Sequence, residues 1–149
     1  MRDSSSLSPV PADSPRRNAV LLLEDNEIIA SMLTALLKSL SLRVIWCADG
    51  ASAERIFAER HGEVLLVLAD CRLPDVDGRD VCARFRTRIP ELPVLVTSGS
   101  VSGRGVAPLE RNRLVEYLPK PYAPSEVLTR VRRLMDAAGN AGPLNTGMV

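Results

Sequence analysis

The sequence predicts an α/β protein built on a single parallel sheet, and three observations carry that expectation. Short unbroken aliphatic runs recur, a stretch of helical apolar periodicity follows each of them in turn, and several runs end abruptly in charged or hydroxyl residues. Strands buried on both faces read as continuous aliphatic segments, and strand and helix in alternation supply the crossovers that cover both faces of a parallel sheet. A chain of 149 residues accommodates one such domain with a substantial core.

The elements follow in order. Ala19 to Leu23 forms the first strand and gives way at Glu24-Asp25-Asn26 to a helix pattern with Ile28, Ile29, Met32, Leu33, Leu36, Leu37 and Leu40 on one face. Leu42 to Cys47 is the second strand, Asp49-Gly50 makes a turn or cap, and Ala53, Ile56 and Phe57 give a short helical stripe up to His61-Gly62. Val64 to Ala69 is the third strand. Val81, Cys82 and Phe85 mark the third helix, with Arg79, Arg84, Arg86 and Arg88 on or near its solvated side. Pro93 to Thr97 and Leu114 to Leu118 supply the fourth and fifth strands. Ser125 is placed to cap the last helix, whose face carries Val127, Leu128, Val131, Leu134 and Met135 and which Gly139 ends. The segment from Gly99 to Arg113 contains Gly103, Gly105 and Pro108, all poor in a helix interior, so the fourth helix is expected to be short or irregular.

Composition excludes several classes. With 46% hydrophobic residues, 25% charged and a net charge of +1, the chain has no global field to attract nucleic acid or membrane. Aromatic content of 3% and tails too short for a helix-turn-helix argue against direct nucleic-acid binding. Cys47, Cys71 and Cys82 are odd in number and lack C-x-x-C spacing, so neither a disulfide framework nor a zinc site is indicated. Residues 1–18, rich in Ser, Pro, Asp and Arg, read as a flexible tail, and 139–149 as another. No signal-peptide core and no run of about 18 uncharged apolar residues occurs. A cytoplasmic location without membrane contact is expected.

The chemistry lies at the carboxyl ends of the strands, where open parallel sheets bind their ligands. Reading those ends gives Glu24-Asp25, Asp70, Thr97-Ser98-Gly99 and Lys120-Pro121. Taken singly, each has a plain explanation: a turn at Asp70, a helix cap at Glu24-Asp25, a surface lysine at Lys120. Taken together they converge on one edge. Three carboxylates in one cleft are tolerated with a cation among them or with one of them protonated. Hard oxygen ligands in an open site point to Mg²⁺, which keeps several waters and accepts phosphate oxygens. Asp75, Asp77 and Gly78 are assigned to turn and helix-start duty, His61 to a helix end, Cys71 to space filling and Trp46 to packing near the second strand.

Four stretches, "LLLEDN", "ADCRLPDVDG", "PVLVTSG" and "YLPKPY", stand in that order at successive strand ends. Over residues 19–138 they resemble the receiver domain of two-component response regulators. The resemblance implies a doubly wound, flavodoxin-like sheet of strand order 2-1-3-4-5. It implies that Asp70 accepts a phosphoryl group from a sensor histidine kinase or a histidine phosphotransfer protein, as in a phosphorelay. Glu24, Asp25, Asp70 and the backbone carbonyl of Arg72 would hold Mg²⁺, and Lys120 and Ser98 would complete the catalytic set. Ser98 and Tyr117 match the conformational switch, and Pro121 the cis-prone neighbour of the lysine. Thr97 is an adjacent candidate for the hydroxyl, but strand alternation turns it away if Ser98 faces the site. Such a domain catalyses its own phosphorylation and dephosphorylation rather than conventional turnover. It signals to a downstream protein target, and a homodimer would form through the face from the fourth helix to the fifth. The expected function is that of a stand-alone receiver. The alternative is a phosphorylation-independent pseudo-receiver acting as an interaction module, because "GSVSGRGVAPLERNR" departs from the family's habitual helix. A metal-dependent phosphatase of similar architecture would carry a second aspartate two residues after the nucleophile, where Arg72 stands.

Overall fold

The structure, a computed structural model, describes residues 17–99, 109 and 112–139. Of the two expected tails only residues 17, 18 and 139 belong to that set; the remainder of both, and most of the 99–113 segment with its doubtful helix, lie outside the described residues. Five strands form one sheet: β1 (Ala19–Leu23), β2 (Arg43–Cys47), β3 (Val64–Asp70), β4 (Val94–Ser98) and β5 (Val115–Pro119). Among the described residues the helices are α1 (Glu27–Lys38), α2 (Gly50–Arg60), α3 (Gly78–Arg88) and α4 (Pro124–Ala137), with one turn of 3-10 helix at His61–Glu63. None of these helices is long and apolar enough to cross a membrane.

All strand pairs are parallel, in the expected order β2-β1-β3-β4-β5. Order therefore reverses at β1, which lies between β2 and β3, and the crevice of a doubly wound sheet opens beyond the carboxyl ends of β1 and β3. Residues alternate between two cores. Leu21, Leu23, Val67, Ala69, Val94 and Val96 pack under α2 and α3, where Phe57 and Phe85 stack at 4.0 Å. Val20, Leu22, Leu66, Leu68, Leu95 and Leu118 pack under α1 and α4. Every residue of β1 and β3 is buried, which explains their unbroken aliphatic runs.

Three local expectations need correction. Ile28 and Met32 do not join the inward face of α1: they are 81% and 37% exposed, because Ala30, Leu33 and Leu37 make the buried stripe. Ser125 does not cap the last helix. Pro124, whose φ is set for a first helical turn, begins α4, and the Glu126 carboxylate reaches back to accept the Ala123 N–H at 2.7 Å. Residues 17 and 18 are tied to the sheet rather than free of it, since Arg17 donates to the carbonyls of His61 and Val64 and the Asn18 carbonyl accepts from the Arg43 N–H. Gly139 follows α4 with φ of 78°, the left-handed conformation that ends many helices.

The loop from β3 to α3 is held by its aspartates and a glycine. Asp75 accepts the Gly50 and Ala51 N–H groups at the start of α2, at 2.9 and 3.0 Å. Asp77 caps α3 and pairs with Arg79. The Gly78 N–H donates to the Cys71 carbonyl at 2.7 Å, and a Cβ at position 78 would stand 2.0 Å from the Asp70 carbonyl oxygen. Backbone against backbone leaves no soft side chain to yield. Gly78→Ala is therefore expected to destabilise the protein by about 2 kcal/mol or more, read as a lower urea midpoint at unchanged slope. A midpoint within about 0.5 kcal/mol of wild type would contradict the close approach.

Candidate functional site

Parallel pairing in register assembles the site. Leu23 pairs with Ala69, so the next residues, Glu24 and Asp70, emerge side by side. Asp70 pairs with Thr97, and Ser98 pairs with Pro119, one residue before Lys120. Two main-chain bonds continue this alignment beyond the ladders: Cys71 N–H to the Thr97 carbonyl at 2.9 Å, and Lys120 N–H to the Ser98 carbonyl at 2.8 Å.

One carboxylate oxygen from each of Glu24, Asp25 and Asp70 lies within 4.8 Å of the others. Lys120 Nζ donates to Asp70 Oδ2 at 2.9 Å, and the Arg72 N–H donates to Asp70 Oδ1 at 3.0 Å. The pairing of Arg72 opposite Asp77 uses the Cys71 carbonyl, so among the described residues none donates to the Arg72 carbonyl. Asp25 is exposed, whereas Glu24 and Asp70 are buried. Burial pushes the Glu24 carboxyl above its ordinary range; the Asn26 N–H on its Oε2 and the Lys120 charge oppose that rise, while Asp70 and Asp25 add to it. Burial works against the Lys120 ammonium too, but the hydrogen bond and charge of Asp70, with Glu24 behind it, hold its pKa above the usual lysine value. Three acids with one ammonium leave a local excess of negative charge. This donor set, all hard oxygen and open on the Asp25 side, fits a small divalent cation such as Mg²⁺.

The other residues singled out from the sequence lie around this cluster. Ser98 is half-buried at the end of β4 and shares a hydrogen bond with Cys71. Thr97 is buried, 2% exposed. Tyr117 packs against the core beneath α2 and α3, and its hydroxyl donates to the Leu109 carbonyl at 2.8 Å, away from the carboxylates. The Lys120–Pro121 peptide is cis. Arg130 and Arg133 both pair with Glu116. Two contributions escaped the sequence reading. Asn26, whose type and place before α1 signalled a cap, accepts the Ile28 and Ile29 N–H groups and gives its own to Glu24. Trp46 donates its indole N–H to the Glu24 carbonyl at 2.6 Å, a contact between strands that no local pattern announces.

The response regulator receiver domain family model matches residues 20–132. The chain belongs to that family. Among curated relatives, the sensory transduction protein RegX3 of Mycolicibacterium smegmatis is 33% identical over 138 residues, covering 88% of this chain and 59% of the relative. The response regulator MprA of Mycobacterium sp. is 33% identical over 118 residues, covering 78% of this chain and 50% of the relative. This receiver thus spans about half the length of the curated relatives it matches. Among solved structures, the signal receiver domain of an HD domain-containing protein from Pseudomonas fluorescens Pf-5 superposes with a TM-score of 0.73 at 27% identity, covering 84% of this chain and 99% of that one. The receiver domain of the hybrid histidine kinase CckA gives 0.64 at 28% identity, covering 78% and 98%. Phosphorylation and Mg²⁺ are general features of the family.

The raised Glu24 pKa has a signed consequence for the metal-free receiver. A carboxyl whose folded pKa exceeds its unfolded value contributes stability that is full below the ordinary value of 4.5 and is lost as pH rises through the folded one. The carboxylates held low, Asp49, Glu63 and Asp77, act at pH below their ordinary values and leave this window clear. In EDTA, wild-type stability by urea unfolding is expected to fall as pH rises from 4.5, and Glu24→Gln to flatten that fall. Parallel curves for the two proteins would contradict it.

Proposed function

We propose that this receiver accepts a phosphoryl group on Asp70 from a phosphohistidine in a Mg²⁺-dependent reaction, and signals by a conformational switch to a protein partner. One observation carries the reading: the carboxylates of Glu24, Asp25 and Asp70 within 4.8 Å of one another, with Lys120 Nζ 2.9 Å from Asp70. The reading concerns residues 19–138 and holds whether this unit acts alone or within a longer chain. Cytoplasmic localisation, where a histidine kinase or phosphotransfer partner presents its phosphohistidine, belongs to the same proposal.

Glu24, Asp25, Asp70 and the Arg72 carbonyl would hold the cation. When bound, Mg²⁺ supplies positive charge against the oxygens of the transferring group and relieves the repulsion among the acids. A carboxylate oxygen of Asp70 forms a bond to phosphorus as the P–N bond to the donor imidazole breaks, and the imidazole keeps the electron pair and takes a proton. Lys120, already on Asp70, faces the equatorial oxygens as charge accumulates on them. Water later attacks the phosphorus of the aspartyl phosphate, breaking its bond to the carboxylate oxygen, releasing inorganic phosphate and regenerating the carboxylate. The phosphoryl group adds strong acceptor oxygens beside Ser98, whose hydroxyl would exchange Cys71 for the phosphoryl group. Tyr117 would then give up the Leu109 carbonyl and move toward the space Ser98 leaves, altering the surface between Leu109, β5 and α4.

With Mg²⁺ and acetyl phosphate, the intact mass is expected to rise by one phosphoryl group, and neither Asp70→Asn nor wild type in EDTA should gain it. Lys120→Ala is expected to slow labelling by about a hundredfold. Equal labelling of Asp70→Asn would contradict the assignment, and an unlabelled wild type would favour a phosphorylation-independent interaction module.

A further inference from the structure

We propose that Trp46, on the edge strand β2, is a positioning residue for the cation site: its indole N–H holds the main-chain carbonyl of Glu24 and so fixes the peptide that joins Glu24 to Asp25. This rests on the proposed Mg²⁺ site. Trp46 is the single tryptophan of the chain and is 43% exposed, an expensive aromatic to leave in water unless its polar end has work to do. That end is satisfied at 2.6 Å by the Glu24 carbonyl. The ring borders a shallow groove against Ala30, Ser31 and Thr34 of α1, so the indole stands between the helix and the edge strand.

β2 grips Glu24 with two consecutive residues. Leu23 and Cys47 are the last pair in register, and just beyond them the Glu24 N–H donates to the Cys47 carbonyl at 3.1 Å while its carbonyl accepts from Trp46. An indole thus stands in for the backbone donor where the ladder stops. A trans peptide directs its C=O and its following N–H in opposite senses, so drawing the carbonyl toward β2 sends the Asp25 N–H away from it. The same orientation keeps a partial negative charge from turning in among three carboxylates that already lie within 4.8 Å of one another. Without the indole bond this peptide is freer to rotate, and the acidic pair must be ordered when the cation arrives. Groups that orient metal ligands from behind typically contribute to affinity.

Because Trp46 is unique, growing the protein with benzothienylalanine in place of tryptophan replaces one N–H by sulfur and leaves the ring nearly isosteric. Trp46→Phe is the genetic counterpart. Calorimetric titration with Mg²⁺ is expected to give a dissociation constant about three- to tenfold weaker in both proteins, the range for loss of one hydrogen bond. The Mg²⁺ concentration for half-maximal labelling by acetyl phosphate should rise by the same factor, with the rate at saturating Mg²⁺ within about twofold of wild type. If Trp46→Phe fails to fold, the benzothienyl protein decides. Wild-type Mg²⁺ affinity in the substituted protein, or a lower saturated rate at unchanged affinity, overturns this inference alone. A wild type that binds no Mg²⁺ overturns it together with the proposed function.

Discussion

The Lys120–Asp70 ion pair, set among three convergent carboxylates, is the interaction on which the architecture turns. Two like charges about 4 Å apart cost about 4 kcal/mol at an effective dielectric constant of 20, and a single ammonium cannot offset three acids. A surface loop would relax by moving its acids apart. Here it cannot, because Glu24 directly follows β1 and Asp70 ends β3, two adjacent, fully buried strands paired side by side. The packed interior holds in place a charge arrangement that the acids themselves oppose, and that a bound cation would relieve.

The features nearest the site serve the same end. Gly78 lets the β3–α3 loop fold back over the Asp70 carbonyl, Asp75 and Asp77 secure that loop to the starts of α2 and α3, and Trp46 with Cys47 pins Glu24 from the other side. On the far flank, the Cys71–Thr97 and Lys120–Ser98 main-chain bonds lock the ends of β3, β4 and β5 together. The proposed switch would place its moving hydroxyls, Ser98 and Tyr117, above this fixed backbone. Ser98 shares a neutral hydrogen bond with Cys71 and Tyr117 gives one to the Leu109 carbonyl, bonds weaker than those a charged phosphoryl group would offer.

Much of this was legible in the residues because each signal was strong and local. Both faces of β1 and β3 are buried, so their aliphatic runs could be read as strands almost to the residue, and parallel topology then placed 24, 70, 98 and 120 at one sheet edge. What was missed depends on choices between close competitors or on distant partners. Ser125 and Pro124 both suit a helix start, and the reach of Glu126 to Ala123 decided in favour of the proline. Ile28 has the spacing of an inward residue but sits in the first turn of α1, ahead of the stripe that meets the sheet. Trp46 read as packing because nothing in its neighbours indicates that a carbonyl 22 positions earlier will take its N–H.

Substituting Mn²⁺ for Mg²⁺ and recording backbone amide spectra tests the central electrostatic claim most directly, because a paramagnetic ion erases signals according to distance. At substoichiometric Mn²⁺ the amides around residues 24–26, 70–72 and 120 are expected to vanish first, while those of Ala19, Val64, Val94 and Val115, at the opposite ends of their strands, persist. Loss spread evenly over the exposed acids, or centred away from the carboxyl ends of β1 and β3, would show that these carboxylates gather no ion.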